Sequence, residues 1–216
     1  MRIALIGEGG TGKSTLAYSF SNYVVKKGLS CSIANLDVFC RHIKYAPSFD
    51  CRKAAKRRGI KPCDADKALE ETYRQLLQDE ALSQAQKASA VNIMDCRGGA
   101  GFFLLTSAGD FLRKRSDAAF LVCDATRGEG DYATETALAG VMQTHLKLPV
   151  ITVLNKWDCV NNAPRQQTLF NEARPAAPVA GAIAASAVEG LGFREMFCAM
   201  LANKNRAEEQ AVQARL

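Results

Sequence analysis

Residues 7–14 of the chain, Gly7-Glu8-Gly9-Gly10-Thr11-Gly12-Lys13-Ser14, have the types and spacing of a phosphate-binding loop. Glycines let the backbone curl until successive N–H groups point at phosphate oxygens. Lys13 would reach the outer phosphates, and the Ser14 hydroxyl would ligate Mg²⁺. A glycine-rich turn without a ligand is the alternative, but such a turn has no need of Gly-Lys-Ser at its end. We call residues 7–14 the phosphate loop.

A second motif, Asp95-Cys96-Arg97-Gly98, could complete the magnesium site. Asp95 would hold the Mg²⁺ as the partner of Ser14, and Gly98 would let a backbone N–H approach the terminal phosphate. Two adjacent glycines, Gly98 and Gly99, give a flexible loop that could change with the nucleotide state. The predicted phosphate-binding residues are Gly9, Gly10, Thr11, Gly12, Lys13, Ser14, Thr15 and Gly98.

A third motif, Asn155-Lys156-Trp157-Asp158, has the residue types that read guanine. The Asp158 carboxylate can accept hydrogen bonds from N1–H and from the exocyclic amine of guanine, whereas adenine offers neither donor on that edge. The aliphatic stem of Lys156 can cover one face of the base. Asn155 can tie this segment to the phosphate loop and reach the base edge. A polar loop after a strand is the alternative. We call residues 155–158 the base loop.

Each motif follows a short apolar run that is typical of a buried strand. Strands are predicted at residues 3–6, 31–36, 90–94, 118–123, 149–154 and 180–185. Helices are predicted at residues 15–27, 64–90, 102–115, 131–147 and from about 191. This alternation predicts an α/β fold with a mostly parallel, doubly wound sheet and helices on both faces. The motifs would then meet at the carboxyl edge of the sheet.

The length of 216 residues suits one domain, with an insertion at about residues 38–90 and a polar tail from about residue 204. The insertion would contain a loop and a short helix, and it includes a cluster of basic side chains. Three readings of this cluster stay open: a solvated face, a lid over phosphates, or a nucleic-acid contact through residues 52–61. The cluster consists of Arg52, Lys53, Lys56, Arg57, Arg58 and Lys61.

The composition indicates which partners and which cellular environment suit the protein. The net charge of +6 permits an acidic partner without requiring one. The eight cysteines contain no Cys-x-x-Cys pair, and no secretory signal precedes the first strand, so we expect reduced thiols in the cytoplasm. No apolar run is long enough to span a membrane. A metal site formed by Cys40, His42, Cys51 and Cys63 matches no common zinc spacing, and we expect a solvated loop instead.

Taken in this order along the chain, the motifs resemble those of a P-loop GTPase. Ser186 and Ala187, after the last predicted strand, support the resemblance, because a Ser-Ala pair at this point in GTPases offers a backbone N–H to guanine O6. Asn35-Leu36-Asp37, then Tyr45-Ala46-Pro47, then Asp50 and Arg52 resemble the pattern of the GPN-loop GTPases, which are similar to a larger, SIMIBI-like class of dimerising P-loop proteins. The resemblance implies a homodimer with nucleotides near the interface and places Asp37 near the attacking water or the Mg²⁺.

The chain departs from the GPN-loop pattern at several positions. No Gly-Pro-Asn tripeptide occurs, and residues 59–63 stand where the family carries it. The family uses that loop to complete the partner's active site, so its hydrolysis route is in question here. Val38 replaces a proline, and Cys96-Arg97 replaces Thr-Pro. Glu8 stands where ATP-driven relatives carry an intersubunit lysine, which argues against those ATPases.

The sequence therefore predicts a protein that binds GTP or GDP with Mg²⁺ and hydrolyses GTP slowly, as a switch or an assembly and maturation factor for an unidentified protein partner. Lys13 and Asp37 are the predicted catalytic residues, and Ser14 and Asp95 the predicted metal ligands. One alternative is a P-loop kinase that transfers phosphate from ATP to a small molecule or nucleoside, but it leaves the base loop unexplained. Another is a nucleic-acid-binding module. The predicted guanine-binding residues are Asn155, Lys156, Asp158, Ser186 and Ala187.

Overall fold

The computed structural model of the chain describes residues 1–57, 65–127, 129–162 and 181–213. A parallel sheet of seven strands forms its centre, in the order β3-β2-β4-β1-β5-β6-β7. The predicted α/β class is confirmed, and every neighbouring pair of strands is parallel. The strands are β1 (Arg2–Ile6), β2 (Cys31–Leu36), β3 (Phe49–Asp50), β4 (Val91–Cys96), β5 (Ala118–Asp124), β6 (Val150–Asn155) and β7 (Ile183–Ala184).

Helices cover both faces of the sheet, as predicted. On one face Leu16 and Phe20 of the first helix and Met196 of the last pack on the strands. On the other face the core contains Tyr73 and Phe103. Strand residues alternate between these cores, because successive side chains of a strand point to opposite faces. The helices are α1 (Lys13–Lys26), α2 (Cys51–Arg57), α3 (Ala65–Leu76), α4 (Glu80–Lys87), α5 (Ala100–Leu105), α6 (Ala108–Arg115), α7 (Glu129–Leu146), α8 (Trp157–Asn162) and α9 (Phe193–Gln213).

Two predicted helices are each divided in the structure. The helix expected over residues 64–90 is interrupted after Leu76, and Asp79 begins α4 by accepting a hydrogen bond from the Leu82 N–H at 3.0 Å. An aspartate satisfies a free N–H at a helix start better than within a helix, which explains the break. The helix expected over residues 102–115 is divided between α5 and α6, where the Thr106 hydroxyl bonds the Phe102 carbonyl.

Strand β3 was not predicted. It has two residues, Phe49 and Asp50, and pairs with β2 at the edge of the sheet. Two residues are too few to produce an alternating pattern. The predicted short helix of the insertion is α2. Residues 58–64, which include Arg58, Lys61 and Cys63, lie outside the described residues, as do residues 163–180.

Cys31, Cys123 and Cys198 each lie in an apolar run of the sequence, which predicts a buried position for all three, and this prediction is only partly correct. Cys123 is buried, Cys31 is half-buried and Cys198 is exposed. Cys198 lies in the outward face of α9, so an apolar neighbourhood in sequence did not give a buried position. All cysteines in the described part of the chain are free thiols, and no group of His, Cys, Asp and Glu there could hold a metal ion by itself.

The predicted polar tail begins inside a helix. Helix α9 continues from Phe193 to Gln213, beyond residue 204. Among the described residues, no helix is long and apolar enough to cross a membrane.

Candidate functional site

The phosphate loop connects β1 to α1, and two of its glycines, Gly7 and Gly12, are required by neighbouring atoms. Gly7 has a φ of +138°, and a Cβ at this residue would lie 2.1 Å from the carbonyl oxygen of Val122 in β5. Gly12 has a φ of +89°, and a Cβ there would lie 2.5 Å from the Nδ2 atom of Asn155. Both positions therefore exclude a side chain. Because these two residues are glycines, the phosphate loop can lie close to β5 and to the base loop. Thr15 follows in the first turn of α1 and is half-buried.

Lys13 is a buried cation whose ammonium contacts neutral atoms. Its side chain is 7% exposed, and Nζ donates to the carbonyl oxygens of Gly7 at 3.0 Å and of Glu8 at 2.7 Å. Burial lowers the pKa of Lys13, and the charges of Asp95 and Asp37 act in the opposite direction. None of the described carboxylates forms a direct ion pair with Lys13. A phosphate group fits this site because its negative charge would compensate the buried cation.

The two predicted metal ligands lie together at the end of β4 and the start of α1. The Ser14 hydroxyl hydrogen-bonds the Asp95 carboxylate, and the Tyr45 hydroxyl donates to Asp95 Oδ2 at 2.7 Å. Burial raises the pKa of Asp95, and the hydrogen bonds from Ser14 and Tyr45 oppose this change. A hydroxyl oxygen and a carboxylate oxygen are hard donors of the kind that Mg²⁺ prefers, so Ser14 and Asp95 fit the predicted ion.

Asp37 lies at the end of β2, in a network that explains the spacing of the residues around it. The Asn35 side chain accepts from the Asp37 N–H at 3.2 Å and donates to Asp50 Oδ1 at 3.0 Å. Asp50 also forms an ion pair of 2.7 Å with Arg52. Burial alone would raise the pKa of Asp50, but hydrogen bonds from Arg52 and Asn35 together lower it. Arg52 therefore differs from the exposed Lys53 and Lys56 of its cluster: it braces the segment that follows β2.

Gly98 lies against the phosphate loop. A Cβ at Gly98 would come within 3.0 Å of the Gly9 nitrogen and 3.1 Å of the Gly9 Cα. Next to it, the Gly99 N–H donates to the Gly7 carbonyl at 3.0 Å, and the Ala100 N–H donates to Glu8 Oε1 at 3.1 Å. The loop after β4 is thus attached to the phosphate loop by backbone groups and by the Glu8 carboxylate.

The base loop is attached to two other segments through Asn155. Its Nδ2 donates to the Thr11 carbonyl at 2.9 Å, and its Oδ1 accepts from the Ala187 N–H at 3.1 Å. The tie to the phosphate loop that the sequence predicts is therefore present. The side chain is 2% exposed, so these bonds form in a dry environment, where they are strong.

Asp158 and Lys156 are held by separate partners. The Ser186 hydroxyl hydrogen-bonds the half-buried Asp158 carboxylate and lowers its pKa. Lys156 has a φ of +66°, and its Nζ forms an ion pair of 2.5 Å with Asp124 Oδ2. The four predicted guanine-binding side chains and the Ala187 backbone thus occupy one end of the carboxyl edge.

Sequence reasoning missed three residues of the site. Tyr45 was noted only as part of a Tyr-x-Pro pattern, and Glu8 only as a departure from a family. Asp124 had a usable signal, because it directly follows the strand predicted at residues 118–123, where a side chain lies at the ligand edge of such a sheet. Their partners are distant in sequence, so no local pattern assigns them.

Comparison with known proteins agrees with this architecture. The sequence profile of a family described as "conserved hypothetical ATP binding protein" matches residues 5–180. No curated protein matches the chain. The crystal structure of a GTPase in apo form from Pyrococcus abyssi has a TM-score of 0.71 and 20% identity, and the match covers 94% of this chain and 97% of that one. At this identity the likeness establishes the P-loop NTPase fold.

Two further solved structures are less similar. The match to an LAO/AO transport system kinase has a TM-score of 0.49 and 15% identity, and covers 97% of this chain and 61% of that one. The match to the septum site-determining protein MinD complexed with Mg-ADP from Pyrococcus horikoshii has a TM-score of 0.46 and 16% identity, and covers 72% of this chain and 70% of that one.

Proposed function

Because the chain belongs to the family described as conserved hypothetical ATP binding proteins, we propose that it is a P-loop protein whose nucleotide is GTP and that it hydrolyses GTP slowly with Mg²⁺. The family description names ATP, so the identity of the base is the part of the proposal that most needs support. That support comes from the base loop.

The observation that carries the proposal is the set of contacts that joins the predicted guanine-binding residues to one another and to the phosphate loop. Asn155 joins the base loop to the phosphate loop through Thr11 and to the Ala187 backbone, and Ser186 steadies Asp158. A carboxylate held in this way can accept two hydrogen bonds from guanine, but adenine would leave it without a donor. A base-reading role explains why Asp158, Ser186 and Ala187 are kept together.

The phosphate end supplies binding and charge compensation. The phosphate loop, Lys13 and the N-terminus of α1 would hold the phosphates. Ser14 and Asp95 would hold the Mg²⁺, which when bound neutralises charge on the phosphate oxygens. Tyr45 fixes one oxygen of Asp95 and so orients this carboxylate.

Hydrolysis requires a group that orients water. Asp37 is our candidate, because it lies at the end of β2, is held by Asn35 and acts electrostatically on Lys13. Its carboxylate would orient the water whose oxygen bonds to the γ-phosphorus as the bond to the bridging oxygen breaks, which yields GDP and inorganic phosphate. Two segments would then respond to the loss of phosphate: residues 96–101, which are the loop after β4 and the residues on either side of it, and residues 37–63 after β2, of which the structure describes 37–57. Presented to a partner protein, they would make the protein a switch or an assembly factor.

Homodimerisation, membership of the GPN-loop subfamily and a cytoplasmic location stay predictions from the sequence. Residues 59–63, which replace the family's Gly-Pro-Asn loop, fall outside the described residues.

Calorimetric titration of nucleotide-free protein with GTP, ATP and xanthosine triphosphate in Mg²⁺ tests the proposal. We expect the wild type to prefer GTP over ATP by about a hundredfold or more, and Asp158→Asn to move the preference toward xanthine. Asp110→Asn is the matched control, since Asp110 is an exposed carboxylate paired with Arg113 in α6. Release of inorganic phosphate from the same samples measures hydrolysis. If ATP binds as tightly as GTP, guanine recognition is wrong, and a screen of phosphate acceptors for a kinase becomes the next experiment.

A further inference from the structure

Asp124, the last residue of β5, lies at the ligand edge of the sheet beside the base loop. Its Oδ2 accepts from Lys156 Nζ at 2.5 Å, and its side chain is 12% exposed, against 35% for Lys156. The charged ends of the two residues therefore meet in a partly buried position, where a charge pair is stronger than at a fully solvated surface.

Asp124 is itself held in place by the turn that follows it. The N–H and the hydroxyl of Thr126 both donate to Asp124 Oδ1, at 3.0 Å and 2.7 Å. One carboxylate oxygen is thus fixed by Thr126, and the other is directed to Lys156. Burial alone would raise the pKa of Asp124, but the hydrogen bonds from Lys156 and Thr126 together lower it, which keeps the carboxylate ionised at neutral pH.

Lys156 adopts a backbone conformation that a lysine rarely takes. Its φ is +66°, in the left-handed region, which disfavours residues with a Cβ. From this position its side chain runs past the phosphate loop: a Cβ built on Gly12 would lie 4.0 Å from Lys156 Cε. The stem therefore extends from the base loop, past Gly12, to Asp124 in β5. Strain of this kind persists where surrounding contacts hold the residue. Here the Lys156 carbonyl accepts from the Cys159 N–H at 3.0 Å, and the far end of the side chain is held by Asp124.

We propose that Asp124 is a positioning residue that fixes the stem of Lys156 as one wall of the purine site. This inference rests on the proposed function, because it assumes that the base lies beside the base loop. Without Asp124, the ammonium loses its anchor, and the four-carbon stem regains rotamer freedom that nucleotide binding would have to remove. Asp124 acts through Lys156 and contacts no reacting group, so it affects the base and not the phosphates.

The test compares Asp124→Asn with the control Asp110→Asn, using GTP, GDP, ATP and inorganic tripolyphosphate as titrants. Asp124→Asn should weaken GTP and GDP by the same factor, on the order of tenfold, since the lost bond is to a charged group. Its affinity for tripolyphosphate should not change. In hydrolysis, KM should rise while kcat stays at the wild-type value. Asp110→Asn should match the wild type throughout.

Two further variants separate positioning from general damage. Asp124→Asn combined with Lys156→Met should bind GTP no more weakly than Lys156→Met alone, because both changes remove the same contact. Thr126→Ala keeps the carboxylate and removes one of its two anchors, so it should give a smaller loss of the same pattern, and it serves if Asp124→Asn does not fold.

Three results would overturn the inference: unchanged affinity for GDP in Asp124→Asn, an equal loss for tripolyphosphate, or additive losses in the double variant. The proposed function fails by a different result, which is equal affinity of the wild type for GTP and ATP. In that case an equal loss for both nucleotides in Asp124→Asn would still identify Asp124 as the residue that positions Lys156.

Discussion

The single side chain of Asn155 contacts both the phosphate loop and the segment that contains Ala187. Its amide joins the Thr11 carbonyl to the Ala187 N–H, so one side chain sets the positions of the phosphate loop, the base loop and Ala187 relative to each other. This geometry also explains Gly12, whose absent Cβ leaves the space that Asn155 Nδ2 occupies. The predicted reach of Asn155 to the base edge stays a prediction.

The substitution Gly12→Ala tests this close approach at the residue scale. The new Cβ would lie 2.5 Å from Asn155 Nδ2, and the φ of +89° is unfavourable for alanine. We expect a loss of roughly 2–5 kcal/mol in unfolding free energy, from about 1–2 kcal/mol of backbone cost and about 1–3 kcal/mol of overpacking. Urea denaturation measures this loss.

Gly28→Ala is the matched control. Gly28 has a φ of +86° after α1, but no atom lies within 4 Å of its Cβ position. This variant should therefore show only the backbone cost. Equal losses for the two variants would mean that the contact between Gly12 and Asn155 imposes no steric requirement.

At the scale of elements, the loop after β4 depends on the phosphate loop for its position. Backbone contacts at Gly98 and Gly99, together with the Glu8 carboxylate at Ala100, join β1 and β4 through their connections. A phosphate bound in the phosphate loop would meet the same backbone groups. A movement of the phosphate loop would therefore displace the loop after β4 directly, without a rearrangement of the hydrophobic core.

Gly98→Ala tests whether this contact transmits the nucleotide state. Its Cβ would come within 3.0 Å of the Gly9 nitrogen, and backbone atoms cannot yield as a flexible side chain can. The two loops should separate. We expect faster hydrogen exchange at the Gly99 and Ala100 amides, and loss of the exchange difference between the GDP and GTP forms over residues 95–101.

Gly101→Ala is the control for that experiment, because no atom lies within 4 Å of its Cβ position in α5. It should keep the wild-type exchange pattern and gain about 0.5–1 kcal/mol of stability from the helix. If the GDP and GTP forms of Gly98→Ala still differ as in the wild type, the assignment of the loop after β4 as a switch is wrong.

At the scale of the whole molecule, three carboxylates, of which Asp95 is buried and Asp50 and Asp124 are half-buried, make the free energy of unfolding depend on pH in opposite directions. The pKa values of Asp50 and Asp124 are lowered in the folded state by their hydrogen-bond donors, so their stabilisation is present above the unfolded pKa and is lost as pH falls through the folded value. The pKa of Asp95 is raised by burial, so its contribution favours the fold at low pH and is lost as pH rises through its folded value.

We therefore expect the nucleotide-free protein to lose stability as pH falls below about 4, the ordinary pKa of aspartate. Asp50→Asn combined with Asp124→Asn should lose less over the same interval, by up to about 3 kcal/mol for each residue, because hydrogen bonds to charged groups contribute about this much. Urea denaturation from pH 2 to 6 measures both slopes. The exposed Asp110→Asn should follow the wild type, and a double variant as acid-sensitive as the wild type would contradict the assignment.

The sequence by itself determined the fold class and the motifs. Phosphate binding depends on contiguous residues, because the glycines, Lys13 and Ser14 must act on one phosphate chain, and such a pattern is readable wherever it occurs. Apolar runs that alternate with helical stretches likewise specify a parallel α/β sheet. The helix break before α4 and strand β3 were not predicted. The break depends on one aspartate and the strand has two residues, and neither produces a periodic pattern.

The tertiary structure alone decided which distant residues complete the site. Tyr45 meets Asp95 across 50 positions, Lys156 meets Asp124 across 32, and Asn155 meets the Thr11 carbonyl across 144. These separations follow from the strand order, which places β1 between β4 and β5, and β6 beside β5. Strand order is set by the packing of all the helices on the sheet, so no local pattern records it, and side chains become partners only when the strands lie side by side.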